Sequence, residues 1–298
     1  MYGAGDFPTR NGGNVGVSTP MASEPPHLPA PHPRSEHEGS ARRQLTGGEE
    51  DFLIREEPLL IKVEAQQVLT MRTPGDDLHL AVGFLLSEGV IERAEDIEDH
   101  TFTAGDPGEL RADTIELHPA TSSRATIQGR LTRTHEIRSS CGICGLTDPD
   151  ELLESTPPLL PGMPKLTATQ IESFRRDFET RQPLFTQTGA CHGAVLFDAG
   201  GALLGAGEDV GRHNALDKAI GAASMAGHDL QQAIAVLSGR AGYDLTIKCL
   251  RMGVPVILSV SAASALSHDL CSAAGGTLVG FLRKGRMKIY CDGGRISG

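Results

Sequence analysis

Apolar and polar positions follow two rhythms along this chain. Up to Ile127 short alternating runs predominate. Leu59-Leu60-Ile61-Lys62-Val63, Ile115-Glu116-Leu117 and Ala125-Thr126-Ile127 read as strands. Between them, Pro74-Gly75-Asp76-Asp77 supplies turn and helix-start residues. Leu78, Ala81 and Leu85 then share one helical face, and Gly89 ends the helix. Pro157-Pro158 and Pro161-Gly162 read as a linker. Beyond it the period lengthens. Thr167 caps a helix whose Ile171, Phe174 and Phe178 are spaced by three and four. Asp198-Ala199-Gly200-Gly201 joins two apolar runs as a hairpin, Ala194 to Phe197 and Ala202 to Leu204. Helices over Asn214 to Ala226, Tyr243 to Met252 and Ser264 to Ala274 then alternate with strands. Those strands are Ile234 to Leu237, Val256 to Val260 and Thr277 to Phe281. This alternation predicts an α/β class with right-handed crossovers, a largely parallel sheet and helices on both faces, beside a smaller N-terminal α+β part.

Length permits such a division, since 298 residues suffice for two ordinary domains. The expected boundaries are a leader over 1–50, an α+β part over 51–160 and an α/β domain over 161–298. Met1 to about Arg43 is rich in Gly, Pro, Ser and His. It has too few apolar residues to offset the entropy of ordering and is expected to be a disordered leader. It lacks the basic start and apolar stretch of a secretory signal, and no apolar run reaches bilayer length. The net charge of −11 argues against general nucleic-acid binding while leaving room for a local basic pocket. Six cysteines, scattered except for one pair, suit reduced thiols and a cytoplasmic setting, with no membrane partner. Tryptophan is absent, so the core is expected to be aliphatic.

Three constellations carry chemistry. The first is Ser139-Ser140-Cys141-Gly142-Ile143-Cys144-Gly145, whose two thiols suit metal binding, dithiol redox or sulfur carriage. Zinc needs four ligands, and no second close-spaced pair exists. No metal site is therefore expected. A thioredoxin-like pair opens a helix, which Pro149 disfavours here. The second runs from Gly207 to Lys218, a Gly-flanked acidic loop entering a helix with Arg212 and His213 at its N-terminus. Glu208 and Lys218 are read as solvated charges. Asp209, Arg212 and His213 stay open between a capped helix start and an anion site. The third comprises loops at strand carboxyl ends: Ser238-Gly239-Arg240, Ser259 to Ser264, and Phe281-Leu282-Arg283-Lys284-Gly285-Arg286. Ligands of open α/β sheets bind at that edge, where small residues admit a phosphate and arginines grip it. His192 is read equally as a buried histidine or a site residue. Cys249, Cys271 and Cys291 are read as core or incidental thiols.

From Arg55 onward the chain resembles the FdhD family of formate dehydrogenase accessory sulfurtransferases. The resemblance rests on Arg55-Glu56-Glu57-Pro58-Leu59, Met71 to Asp77, Gly83 to Gly89, Cys141-Gly142-Ile143-Cys144-Gly145, Thr188-Gly189-Ala190, Glu208 to Lys218, Ser238-Gly239-Arg240 and Thr277 to Phe281, in the family's order. It implies a cytidine deaminase-like layered α/β fold without that class's zinc chemistry, in a homodimer. It also implies sulfur transfer from a cysteine desulfurase to the molybdenum or tungsten bis-(molybdopterin guanine dinucleotide) cofactor of formate dehydrogenase. Cys141 matches the persulfide-bearing cysteine, with Cys144 as its helper. Phe281 to Arg286 matches the cofactor-binding stretch, for which a guanine nucleotide is a mimic. Ser238, Arg240, Ser261, Arg212 and His213 are the further candidates for that ligand.

The chain departs from the family at Ser261-Ala262-Ala263-Ser264, at Gly242, and at Cys291-Asp292-Gly293-Gly294, which replaces a Thr-His-Pro-like ending. The alternatives are a non-catalytic cofactor chaperone and a zinc-dependent deaminase-like enzyme.

Overall fold

The computed structural model describes residues 39–106, 111–133 and 156–297. Strand β1 (Ser40–Gln44) pairs antiparallel with β2 (Glu50–Ile54), so regular structure begins upstream of the expected start near Asp51. Four further strands form one sheet: β3 (Glu57–Val63), β4 (Gln66–Arg72), β5 (Ile97–Thr103) and β6 (Asp113–Pro119), in the order β4-β3-β6-β5. Alternation on β3 places Leu59, Ile61 and Val63 in the core, as a half-buried strand requires. Helix α1 (Asp77–Ser87) makes the crossover from β3–β4 toward β6. Ala125-Thr126-Ile127 is not a strand. It lies in helix α2 (Arg124–Arg133), where Ile127 and Leu131 are buried four residues apart. Three residues are too few to separate a period of two from one of 3.6.

The second half follows its expected order closely. After the short β7 (Leu166–Thr167), Thr167 Oγ1 caps α3 (Ala168–Thr180) by accepting from the Gln170 N–H, and Gln170 returns the bond. Helix α4 (Pro183–Thr188) leads to the hairpin of β8 (His192–Phe197) and β9 (Leu203–Asp209). Then come α5 (Arg212–Met225), β10 (Ile234–Leu237), α6 (Tyr243–Arg251), β11 (Val256–Ser259), α7 (Ala265–Ala273) and β12 (Thr277–Arg283). β13 (Arg286–Cys291) and β14 (Ile296–Ser297) complete the chain. The main sheet has the order β13-β12-β11-β10-β8-β9. It is mixed, not largely parallel. Only β10–β11 and β11–β12 pair parallel, while β8–β9, β8–β10 and β12–β13 pair antiparallel. Tight hairpins at both edges reverse the chain without a crossover helix.

Both faces of this sheet are covered. Ala194, Leu196, Ala235, Leu237 and Ile257 join one cluster with α5 and α6 residues, while Val195, Phe197, Val236 and Leu258 join another with Ile171, Phe174 and Phe178 of α3. The first cluster also contains Leu59, Ile61, Leu80, Ala81 and Leu85, so the two halves of the chain share a core. They meet where α1 crosses α5 at two glycines. A Cβ on Gly83 would lie 1.8 Å from the Asp217 carbonyl oxygen, and one on Gly221 would lie 1.9 Å from that of His79. Only glycine permits this approach. Beside the crossing, Lys248 of α6 bonds Asp217 of α5 at 3.0 Å and Glu88 at 2.8 Å.

Candidate functional site

The carboxyl ends of β10, β11 and β12 are tied into one strip, and Arg212 at the start of α5 packs beside it, its Cβ 3.7 Å from where a Cβ on Gly239 would stand. Ser238, directly after β10, accepts the Gly193 N–H at 2.9 Å and lies 3.2 Å from His192 Nδ1. Ser259 Oγ donates to the Gly239 carbonyl at 2.7 Å and accepts the Ser261 N–H at 3.1 Å. The Ser261 carbonyl accepts the Phe281 N–H at 2.8 Å. Phe281 has φ of 49°, in the left-handed region that disfavours a bulky side chain, and it is exposed. Beyond it β12 and β13 form a hairpin that places Arg283, Lys284 and Arg286 in solvent. Leu282 points the other way and is buried among the α3 residues, so only its backbone faces the edge. Arg240 is exposed beside Gly239.

Arg212 and His213 open α5, and both bind one carboxylate that sequence reasoning missed. Arg212 Nη2 donates to Asp244 Oδ2 at 3.0 Å, and His213 Nε2 contacts the same oxygen. Burial opposes ionisation of Asp244. The bond and charge of His213 and the charge of Arg212 outweigh it, holding the carboxyl below its ordinary range. Asp244 lies 31 residues from His213, and no local pattern marks it. Nearby, burial and then the Arg212 charge lower the pKa of His192, which favours its neutral form. The strip thus presents cations from Arg212, Arg240 and the hairpin, together with serine hydroxyls and the His192 imidazole.

The loop before α5 corrects two expectations. Lys218 is not solvated. It is 1% exposed, and its ammonium lies 2.9 Å from Asp209, which is 0% exposed. Lys218 also donates to the carbonyls of Thr73 and Glu208 at 2.8 and 3.1 Å. Asp209 accepts from the Thr73 N–H, the Gly211 N–H and Asn214 Nδ2 at 3.0, 2.9 and 3.1 Å. With every donor drawn from the fold, Asp209 is a strut for the loop that delivers Arg212. Glu208 is likewise engaged, accepting the N–H groups of Leu184 and Phe185 at 2.9 and 2.8 Å. Cys141 and Cys144 lie outside the described residues. Among the described residues, no group of three or more His, Cys, Asp or Glu is arranged to hold a metal. None of the described helices is long and apolar enough to cross a membrane.

A model of the FdhD/NarQ family matches residues 54–297. The chain belongs to the FdhD/NarQ family. The match includes the Cys141–Cys144 segment and every strand-end loop above. A sulfur carrier protein FdhD from Anaeromyxobacter dehalogenans strain 2CP-C is 41% identical over 266 residues, covering 84% of this chain and 90% of the relative. A protein of the same name from Streptomyces coelicolor is 38% identical over 258 residues, covering 83% and 89%. A crystal structure from Desulfotalea psychrophila, of a protein assigned as a formate dehydrogenase accessory protein, superposes with a TM-score of 0.64. It is 27% identical and covers 87% of this chain and 97% of that one.

Proposed function

We propose that this chain is a sulfur carrier for formate dehydrogenase maturation, taking sulfur from a cysteine desulfurase and delivering it to the bis-(molybdopterin guanine dinucleotide) cofactor. The observation that carries the reading is one family match spanning both the cysteine pair and the basic strand-end strip. A carrier needs a nucleophilic thiol and a place to hold its acceptor, and the chain provides candidates for both.

In the first step the Cys141 thiolate attacks the outer sulfur of the desulfurase persulfide. A new sulfur–sulfur bond forms on Cys141, the old one breaks, and the desulfurase thiolate leaves. The acceptor's phosphates are held by Arg283, Lys284 and Arg286, with Ser238, Arg240, Ser261, Arg212 and His213 lining the approach. Guanidinium groups fork onto phosphate oxygens, and serine hydroxyls complete their hydrogen bonds. Phe281, exposed at the strip, offers a face for a guanine base. In the second step the Cys144 thiolate attacks the inner sulfur of the Cys141 persulfide. Hydrosulfide departs to the acceptor and a Cys141–Cys144 disulfide remains. A cellular dithiol then reduces that disulfide, a reset that suits the cytoplasm.

The same reading takes in formate dehydrogenase as the client, a homodimeric assembly and a deaminase-like layered arrangement. The sheet covered by α3 on one face and α5–α6 on the other supports that last point.

The test is intact mass after incubating the full chain with a cysteine desulfurase and cysteine. The expected adduct is about 32 Da, one sulfur atom, on the peptide containing Cys141, and it is removed by dithiothreitol. A cofactor chaperone predicts no adduct there, and maturation that survives replacement of both Cys141 and Cys144 by alanine would overturn sulfur carriage.

A further inference from the structure

The described residues include four free thiols, at Cys191, Cys249, Cys271 and Cys291. Cys191 and Cys249 are buried, and burial pushes both thiols up, Cys249 to about 12. Cys271, near the end of α7, and Cys291, at the end of β13, instead converge on one residue, Gly276. The Gly276 N–H donates to the Cys271 carbonyl at 2.7 Å. The Gly276 carbonyl lies 3.8 Å from Cys291 Sγ, which donates to it when protonated. A Cβ on Gly276 would stand 2.7 Å from Cys271 Sγ, so the absence of a side chain makes room for that sulfur.

Both sulfurs therefore flank the same glycine. The nearness of the two thiols pushes Cys271 up and Cys291 down, to about 7, with His268 assisting and burial and Asp292 opposing the fall of Cys291. Their accessibilities differ, since Cys271 is fully buried and Cys291 is partly open to solvent. The backbone around them is clamped. Thr277 Oγ1 donates to Asp292 at 3.0 Å, and the buried Arg295 guanidinium donates to the Gly275 carbonyl at 2.6 Å. One sulfur is therefore reachable, its partner waits behind it, and the scaffold fixes their approach.

We propose that Cys271 and Cys291 form a second dithiol site, which closes reversibly to an intrachain disulfide by exchange with a low-molecular-weight disulfide. The site sits at the start of β12, at the opposite end of that strand from the hairpin bearing Arg283 and Arg286. In the first step the Cys291 thiolate attacks one sulfur of the small disulfide. A mixed disulfide forms on Cys291 and one small thiolate leaves. Cys271 then gives up its proton and attacks the Cys291 sulfur. The protein disulfide forms, and the second small thiol leaves with that proton. Two protein thiols are oxidised and one small disulfide is reduced to two thiols. The closed bond joins α7 to β13 and pins the base of the basic hairpin.

The test uses the full chain equilibrated in glutathione buffers of graded redox ratio, quenched with N-ethylmaleimide in denaturant and digested with trypsin without reduction. Cys271 then lies in peptide 252–283 and Cys291 in 289–295, whereas Cys141 and Cys144 share peptide 139–165. The expected result is a peptide pair 252–283 linked to 289–295 that becomes the major form in oxidising buffer and vanishes with dithiothreitol. In a Cys271→Ser variant, glutathione accumulates on Cys291 instead. In wild-type time courses the Cys291 mixed disulfide precedes the linked pair, which tests the order even without a folded variant. Alkylation of both thiols across the whole series, or a stable Cys291–glutathione adduct in wild type, would overturn the proposal.

Discussion

Replacing Asp209 by asparagine is expected to destabilise the protein far more than a loop substitution ordinarily does. The change keeps the side chain's size and leaves an oxygen to accept part of its hydrogen bonding, but removes the charge. Asp209 is 0% exposed and Lys218 is 1% exposed, so the Lys218 ammonium stays in the interior without its 2.9 Å counter-ion. Breaking a buried pair from one side costs about 3–5 kcal/mol. At about 2–4 °C per kcal/mol for a domain-sized unit, the expected fall in Tm is about 6–20 °C. Removing both charges together, as Asp209→Asn with Lys218→Met, leaves no orphaned ion, so the double variant should lose much less than the sum of the singles. Thermal unfolding of the four proteins, followed by circular dichroism, closes this cycle. A Tm for Asp209→Asn within about 2 °C of wild type, which corresponds to roughly 1 kcal/mol or less, would refute the strut. So would single-variant effects that add to within about 0.5 kcal/mol.

Gly221→Ala should be destabilising by about 1–3 kcal/mol, since its Cβ would stand 1.9 Å from the His79 carbonyl oxygen; a chemical denaturation midpoint equal to wild type would show that the helices part freely. Lys248, its bond and then Arg251 outweigh burial to place the Glu88 carboxyl in the folded protein below its ordinary value of 4.5. Its ionised form therefore favours the fold fully above that pH, and the benefit is lost as pH falls through the depressed folded value. Glu88→Gln should accordingly flatten the acid side of the Tm–pH curve, and a curve parallel to wild type would count against the assignment. Arg286→Ala should weaken guanine nucleotide binding measured by calorimetry, and undiminished affinity excludes Arg286 from the site. Asp244→Ala frees Arg212 and His213 from their shared anchor, and nucleotide affinity unchanged in either direction would mean that Asp244 does not position the strip.

Much of the architecture was legible because it is written locally. The helix over Ala168–Thr180 combines a capping threonine with three apolar residues on one face, and both signals lie within fourteen positions of the chain. The hairpin at Asp198–Gly201 and the glycine stop at Gly89 are equally local. The candidate site was legible in outline for a different reason. In an open α/β sheet, strand ends converge on one edge, so Ser238, Ser261 and Phe281 could be grouped before their contacts were known. Arg212 and His213 were visible at a helix start, but their anchor Asp244 was not.

The sequence by itself determined most of the helices and strands of the second half, which of their faces are apolar, and which family the motifs resemble. Short-range steric preference and hydrophobic periodicity act within a few residues, and those a reader of the chain can see. Tertiary structure alone decided the mixed direction of the sheet, since an edge hairpin and a crossover strand carry the same alternation. It decided the burial of Lys218 as well, because a charge beside an acidic loop looks solvated until Thr73, 145 residues away, closes over it. It also decided the meeting of Cys271 with Cys291, two thiols unremarkable in sequence. Whether a polar group is paired depends on what lies across space from it, and chain neighbours do not encode that.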